Sequence, residues 1–406
     1  MSRSKNIQYL GGLDDIRGFA ALLILLYHGG QLIGHPLQWG TPYDPAHWLQ
    51  ASNPLASLII EGHTAVGLFL FVSGFVFSFG AYGREVAFGG FMRNRFLRIY
   101  PLFLFMLFLA SVVYSTQFSL LPLVQTLLML PEYPGAFAAG DIGGMFWSIG
   151  VEWKCYLLFP FLHRVTARKG LGYLLAFIGL INLMRIGAVY LGAGSAPWTT
   201  YFTLAGRLDQ FCVGMLFGYR FAAGGLRWTK RATPLAMVLA LLMLFVYHRA
   251  GGWPAQHLWK TAWPAIEAAV WGLLVVGYVQ LPDAWTRMLR PLRWLGIISY
   301  SVYLVHLPIL RAIAARKESS WPINMKDAAL LSAVANTLIF VLPIVVAIAT
   351  VTYFVIEKPA MELRRSYSRR DPQADEGADK PAEGEAPASA SAQPVPLAEN
   401  AAPAGS

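Results

Sequence analysis

Arg17 and His28 share one apolar stretch, LDDIRGFAALLILLYHGGQL, entered by Asp14 and Asp15. Eleven residues at 100° each come to about 20° beyond three full helical turns, so a helix puts both side chains on one face, roughly 16 Å apart along its axis. An ionisable group inside an apolar span is costly and faces the interior of a bundle. A neutral imidazole there can take a proton as a general base. The same imidazole can also be a core histidine bonded to a backbone carbonyl, and the spacing leaves both readings open.

Further along, FMRNRFLRIYPLF carries Arg93, Arg95 and Arg98, with Arg84 close by in sequence. Arg95 and Arg98 are i,i+3 neighbours on one helix face. Guanidinium groups bind phosphate through several donors, which makes this a candidate anion site. Holding a loop on the cytoplasmic side accounts for the same residues. In FWSIGVEWKCYLLFP, Ser148 and Glu152 are i,i+4 and share a face. Glu152 reads as a partner for an arginine or for His28, or as half of a structural ion pair, and Lys154 lies two residues on. Arg207 and Asp209, in AGRLDQFCVGMLFG, are about 200° apart round a helix, so each needs its own partner. Glu267 and His306 are single polar positions in apolar runs. The stretch between His35 and Thr64 is aromatic and polar, with Tyr43, His47, Trp48, Glu61 and His63. Such a surface suits sugar rings and equally suits interfacial anchoring. No nucleotide-phosphate motif, zinc-ligand spacing or nucleophile elbow stands out, so no metal is expected.

The elements that must position these groups follow from composition. The 406 residues are 56% hydrophobic and only 13% charged, against about 25% charged in a soluble domain, and mean hydropathy is +0.48. That excludes a soluble enzyme and predicts an all-α, polytopic membrane helical bundle. Cys155 and Cys212, both in apolar runs, make no disulfide framework. Ten stretches are long and apolar enough to be read as transmembrane helices: 13–34, 65–82, 97–116, 145–162, 171–191, 203–221, 234–249, 263–281, 294–313 and 328–356. The run Ser119–Leu130 is short and reads as interfacial or re-entrant. With both termini cytoplasmic, the predicted inner segments hold 23 of the 32 Lys and Arg residues, as the positive-inside rule requires. Topology therefore accounts for the net charge of +10 without nucleic acid. Residues 1–365 read as one transmembrane domain. Residues 366–406, rich in Ala, Pro and Glu, read as a disordered cytoplasmic tail with no second folded domain.

Several of these segments together resemble the membrane-bound acyltransferase-3 family. LDDIRGFAALLILLYH is similar to the family's opening Arg-x10-His segment, through Arg17 and His28. FLFVSGFVF and RNRFLRIYP resemble the segments that follow it, the second through Arg95, Arg98 and Pro101. FWSIGVEWKCYLLFP matches at Trp147, Ser148, Glu152 and Pro160. GRLDQFCVGMLFG, ISYSVYLVHLPIL and YFVIEKP continue the order through Arg207, Asp209, His306, Glu357 and Pro359. Gly67 stands where an Asp is common in the family, and Trp153 and Lys154 where a Glu-Gln pair is usual.

The resemblance implies transfer of an acyl group, most often acetyl, from acyl-coenzyme A to a carbohydrate hydroxyl. It implies a multi-pass protein of the bacterial inner membrane, with acetyl-CoA as co-substrate and no bound cofactor. On that reading His28 is the general base, with a covalent acyl-histidine relay as the runner-up. Arg17 holds the donor or stabilises developing charge, and Glu152 orients His28 or an arginine. Arg93, Arg95 and Arg98 bind the coenzyme, while Asp14, Ser148, Arg207, Asp209 and His306 are supporting polar groups. A secondary transporter or a flippase of a glycan precursor is the competing class, because ten spans with buried charges fit transport as well.

Overall fold

A computed structural model of the chain describes residues 9–45, 47–117, 119–130, 140–227, 232–282, 286–317, 320–325 and 327–370. About 79% of them are helical. The main helices are α1 (Gly11–Gly29), α2 (Ala65–Ala81), α3 (Phe88–Val113), α4 (Phe146–Lys169), α5 (Leu171–Tyr190), α6 (Leu204–Ala222), α7 (Ala232–Arg249), α8 (Trp263–Val279), α9 (Arg290–Ile297) and α10 (Ser299–Lys317). A last rod, α11 (Ala329–Glu362), is continuous through two π-helical turns, Thr337–Val341 and Tyr353–Glu357. Helix α1 likewise runs on through a π turn, Gly30–Gly34, to Trp39, where Gly40 ends it at φ +68°.

Helices α1 and α2 form the buried centre, and close backbone contact sets their neighbours. A Cβ on Gly74 of α2 would lie 2.1 Å from the Phe211 carbonyl oxygen of α6, and one on Gly214 of α6 would lie 2.1 Å from the Phe71 carbonyl oxygen of α2. The same device joins α1 to α9, through Gly18 and Gly296. Small residues at such crossings are how helices pack where lipid removes the hydrophobic drive between them. The outer helices α3, α5, α7 and α11 turn large apolar side chains outward, among them Phe108, Leu183, Val246 and Val351. A surface of this kind on four helices belongs against lipid. The protein is a multi-pass membrane protein.

Six helical stretches are long and apolar enough to cross a bilayer: Gly11–Trp39, Gly62–Ala81, Phe88–Val113, Leu171–Tyr190, Ala232–Arg249 and Ala329–Glu362. The α9–α10 pair, bent by 82°, makes a seventh if it is one span. The three remaining stretches among the ten expected are helices too, but they differ in length or charge. Helix α8 has 17 residues, α4 carries Glu152 and Lys154, and α6 carries Arg207 and Asp209. Boundaries also move. Helix α3 starts at Phe88, not near 97, so the arginines expected in a loop stand on its first turns. The run read as interfacial forms only the eight-residue helix Leu120–Leu127.

Beyond α11, Ser368–Arg370 (β2) pairs antiparallel with Arg84–Val86 (β1), between α2 and α3. Just before β2, Asn94 of α3 donates to the Arg365 carbonyl at 2.6 Å and accepts from its N–H at 3.1 Å. These contacts fix the segment after α11 against the start of α3. The compact unit ends at Arg370. The remainder of the expected tail, 371–406, lies outside the described residues.

Candidate active site

The starts of α1 and α3, α4, the α9–α10 bend and the end of α11 enclose a cavity of about 960 Å³. Six cations line it: Arg17, Arg95, Arg98, Lys358, Arg364 and Arg365, against three acids, Asp14, Glu152 and Glu362. The guanidiniums are not neutralised one for one. Arg98 does bond Glu357 at 2.6 Å, and Arg17 lies 3.4 Å from Asp14. Arg95 instead stands over the Phe77 ring at 4.8 Å, and its Nε is buried without a partner among the described residues, as is that of Arg364. Burial, then the neighbouring Arg98 and Arg95, push the Arg364 guanidinium down to about 9, which leaves it protonated at neutral pH. Guanidinium groups crowded in this way have the donors to bind a polyanion such as a phosphate chain. Arg93, expected with this set, is exposed and is not among the residues lining the cavity.

Beside the arginines the wall is hydroxyl-rich, and the Arg95 guanidinium lies 5.8 Å from the Tyr156 ring. Glu152 accepts from Ser73 of α2 at 3.1 Å and from the Tyr156 hydroxyl. Ser148 donates to the Met145 carbonyl at 3.0 Å, and so accepts from the Tyr303 hydroxyl at 2.6 Å. Ser148 and Glu152 share the cavity face, as their spacing predicts. Glu152 does not orient His28, because its hydrogen-bond partners are the two hydroxyls.

His28 is 8% exposed and meets His306, whose ring also contacts that of Tyr303 at 5.8 Å. The bonds fix both tautomers. His306 Nδ1 faces the Val302 and Tyr303 carbonyls at 3.1 and 2.8 Å and must carry the proton. Its Nε2 is then an acceptor, 3.1 Å from His28 Nδ1. His28 Nδ1 also faces the Ile24 carbonyl at 3.0 Å, so it is the donor on that ring. The lone pair of His28 is left on Nε2, which meets no hydrogen-bond partner among the described residues. An imidazole held in this tautomer leaves Nε2 free to accept a proton.

Arg207 and Asp209 do not line the cavity. Asp209 pairs with Arg185 at 2.5 Å, both fully buried. Arg207 bonds the Tyr201 carbonyl and Gln210, both at 3.0 Å, and lies over the Tyr201 ring at 4.1 Å. They have separate partners, as two residues 200° apart must. Sequence reasoning missed Lys358, Arg364 and Arg365. Their one local signal is the basic run that follows Glu357 in EKPAMELRR.

A family model described as an acyltransferase domain matches residues 10–356. The putative peptidoglycan O-acetyltransferase YrhL of Bacillus subtilis is 23% identical over 409 residues, covering 91% of this chain and 57% of that protein. The peptidoglycan O-acetyltransferase OatA of Listeria monocytogenes is 24% identical over 40% of this chain and 28% of its own length. The acyltransferase MdmB of Streptomyces mycarofaciens is 29% identical over 39% of this chain and 40% of its own. The chain thus spans less than two thirds of each of these relatives. No solved structure matches.

Proposed function

The chain belongs to the acyltransferase-3 family, and from that premise we propose that it is an integral membrane O-acyltransferase, moving an acyl group, acetyl first, from acyl-coenzyme A to a hydroxyl of a glycan. The cationic cavity is the observation that carries this reading. It has the charge and size for the nucleotide end of coenzyme A, and it lies among helix ends that the positive-inside rule puts in the cytoplasm. The proposed topology keeps ten spans, with α4, α6 and α8 crossing inside the bundle, and both termini cytoplasmic. The proposed site is the inner membrane of a bacterium.

Arg95, Arg98, Arg364 and Arg365 hold the phosphates, while Arg17 is placed for the phosphate end or for charge developing further in. The pantetheine arm runs past Ser148 and Tyr303 toward the histidine pair. The acceptor hydroxyl gives its proton to His28 Nε2 as its oxygen attacks the thioester carbonyl. The new C–O bond forms, the C–S bond breaks, and the coenzyme A thiolate leaves and takes up a proton. His306 keeps the Nδ1 proton of His28 in place, so that Nε2 stays the basic atom. Peptidoglycan is the first acceptor to try, because two of the relatives are named for acetylating it.

The test follows label from acetyl-labelled coenzyme A into the glycan fraction of membranes holding the protein. His28→Ala should lose about 10²–10⁴-fold in rate with insertion unchanged. Retained transfer in that variant rules out His28 as the base. If the wild type transfers no label but sealed vesicles take up glycan precursor, the transport reading replaces this one.

A further inference from the structure

One carboxylate stands in the cationic cavity with half of its acceptor capacity unused. Glu152 is half-buried and lines the cavity. The hydroxyls of Ser73, at 3.1 Å, and of Tyr156 both donate to the same oxygen, Oε1. Oε2 has no hydrogen-bond partner among the described residues, and it is not sealed off by burial, so it is open to the cavity. No ion pair accounts for the charge. Arg98 pairs with Glu357 and Arg17 with Asp14, and Glu152 makes no such pair among the described residues.

Its place along α4 matters. Tyr156, Glu152 and Ser148 are spaced four apart, so they lie on one helix face with a rise of about 6 Å per step. All three line the cavity. Tyr156 is at the cationic end, where the Arg95 guanidinium lies 5.8 Å from its ring. Ser148 is at the other end, bonded to Tyr303 at 2.6 Å, and the Tyr303 ring meets that of His306 at 5.8 Å. Glu152 stands between them. A donor with its phosphates on the arginines and its acyl group toward the histidines must pass it. Leu70 and Phe77, a helical turn either side of Ser73 on α2, line the same cavity and offer no polar side-chain atom.

A phosphate does not belong beside an open carboxylate oxygen, because like charges repel. An acyl chain does not either, because it would take water from the charge and give nothing back. Such an oxygen accepts from an N–H or O–H. Between the phosphates and the thioester of acyl-coenzyme A, the pantetheine arm carries two amide N–H groups and one hydroxyl. The hydroxyl can turn a lone pair to a guanidinium, whereas an amide N–H only donates and needs an acceptor. We propose that Glu152 is a specificity determinant of the donor site: its Oε2 accepts a hydrogen bond from an amide N–H of the pantetheine arm. The site then takes acyl thioesters carried on pantetheine in preference to acyl phosphates, which have the charge without the amide. The inference rests on the acyl-coenzyme A reading and adds what tells the arm from any other anion. Glu152 touches the carrier, and the proton transfer stays with His28.

Glu152→Gln separates the two oxygens. The amide oxygen stays with the hydroxyls of Ser73 and Tyr156, and the NH2 takes the place of Oε2, donor facing donor. The purified full-length protein in lipid nanodiscs is titrated by calorimetry with three kinds of probe. They are coenzyme A, its analogues with one pantetheine amide replaced by an ester, and its phosphoadenosine diphosphate half, which lacks the arm. One of the two esters should bind the wild type about ten- to a hundredfold more weakly than coenzyme A, the weight of one hydrogen bond to a charged group. Glu152→Gln should weaken coenzyme A by a similar factor, bind that same ester at least as well as coenzyme A, and hold the nucleotide half no less tightly than wild type. The proposal is overturned if both esters bind the wild type as tightly as coenzyme A. It is also overturned if a folded Glu152→Gln keeps the wild-type preference for amide over ester, or weakens coenzyme A and the nucleotide half alike, as loss of a merely structural carboxylate would. The wild-type comparison needs no variant, so a Glu152→Gln that does not fold leaves the esters to decide. A wild type that binds neither coenzyme A nor its nucleotide half sinks the donor reading first, which tells the two failures apart.

Discussion

At the scale of single residues, the histidine pair separates what spacing shows from what it hides. Periodicity along one helix put Arg17 and His28 on a common face, and Ser148 with Glu152 on another. Partners across helices were not legible. His306 is 278 residues from His28, and Glu357 is 259 from Arg98. No local pattern encodes such contacts. Glu152 shows the gap this leaves: read as a partner for an arginine or for His28, it takes its hydrogen bonds from the hydroxyls of Ser73 and Tyr156. The pairing also makes a prediction. His306→Phe removes the acceptor facing His28 Nδ1 and frees the imidazole to turn or change tautomer. The rate of glycan labelling should fall at least tenfold, with the KM for acetyl-CoA within twofold of wild type. Equal kinetics in the variant would reduce His306 to packing.

At the scale of elements, hydropathy located apolar centres well and helix ends poorly. Helix α3 begins nine residues before the expected 97 because its first turns are mixed. Arg95 and Arg98 face the cavity while Phe96 faces outward. A window average reads such turns as loop, whereas arginine is a good helix former. The link from Asn94 to the backbone of Arg365 joins two elements far apart in the chain, and it should matter for donor binding rather than for chemistry. Asn94→Ala should raise the KM for acetyl-CoA several-fold and leave kcat near wild type, measured by the same label assay. The crossing of α2 and α6 depends on glycine for space alone. Gly214→Val would drive a side chain into the Phe71 carbonyl. Overpacking of that kind costs about 1–3 kcal/mol, to be read as a lowered unfolding temperature in detergent.

At the scale of the whole molecule, composition alone identified a helical membrane protein. The number of spans is less legible, because a criterion of length and hydropathy passes over helices that carry charges, such as α6 with its buried Arg207 and Asp209 and α4 with its half-buried Glu152 and Lys154. A charged group buried outside the spans also couples stability to pH. Lys260 is 2% exposed, over the Tyr247 ring at 5.7 Å, and its ammonium donates to the Trp253 carbonyl. Burial pushes its amine down to about 8. The folded state therefore binds this proton less tightly than the unfolded chain, in which the group titrates near 10.5. The resulting penalty is fully present below pH 8 and fades as pH rises toward 10.5. Lys260→Met removes the proton, so its unfolding temperature relative to wild type should be highest near pH 7 and decline by a few degrees up to pH 10. A difference that is flat across this range would place the charge elsewhere.

The strand pair β1–β2 has a consequence in time. The cationic cavity takes Arg17 from the first helix and Arg364 and Arg365 from the residues just before β2. A ribosome makes the first of these early and the others more than three hundred codons later. The partly synthesised chain can insert helix by helix, yet the cavity is incomplete until the final strand docks. The full set of cations thus comes together in one late step, and a chain cut short before Arg364 would lack two of the six that line the cavity.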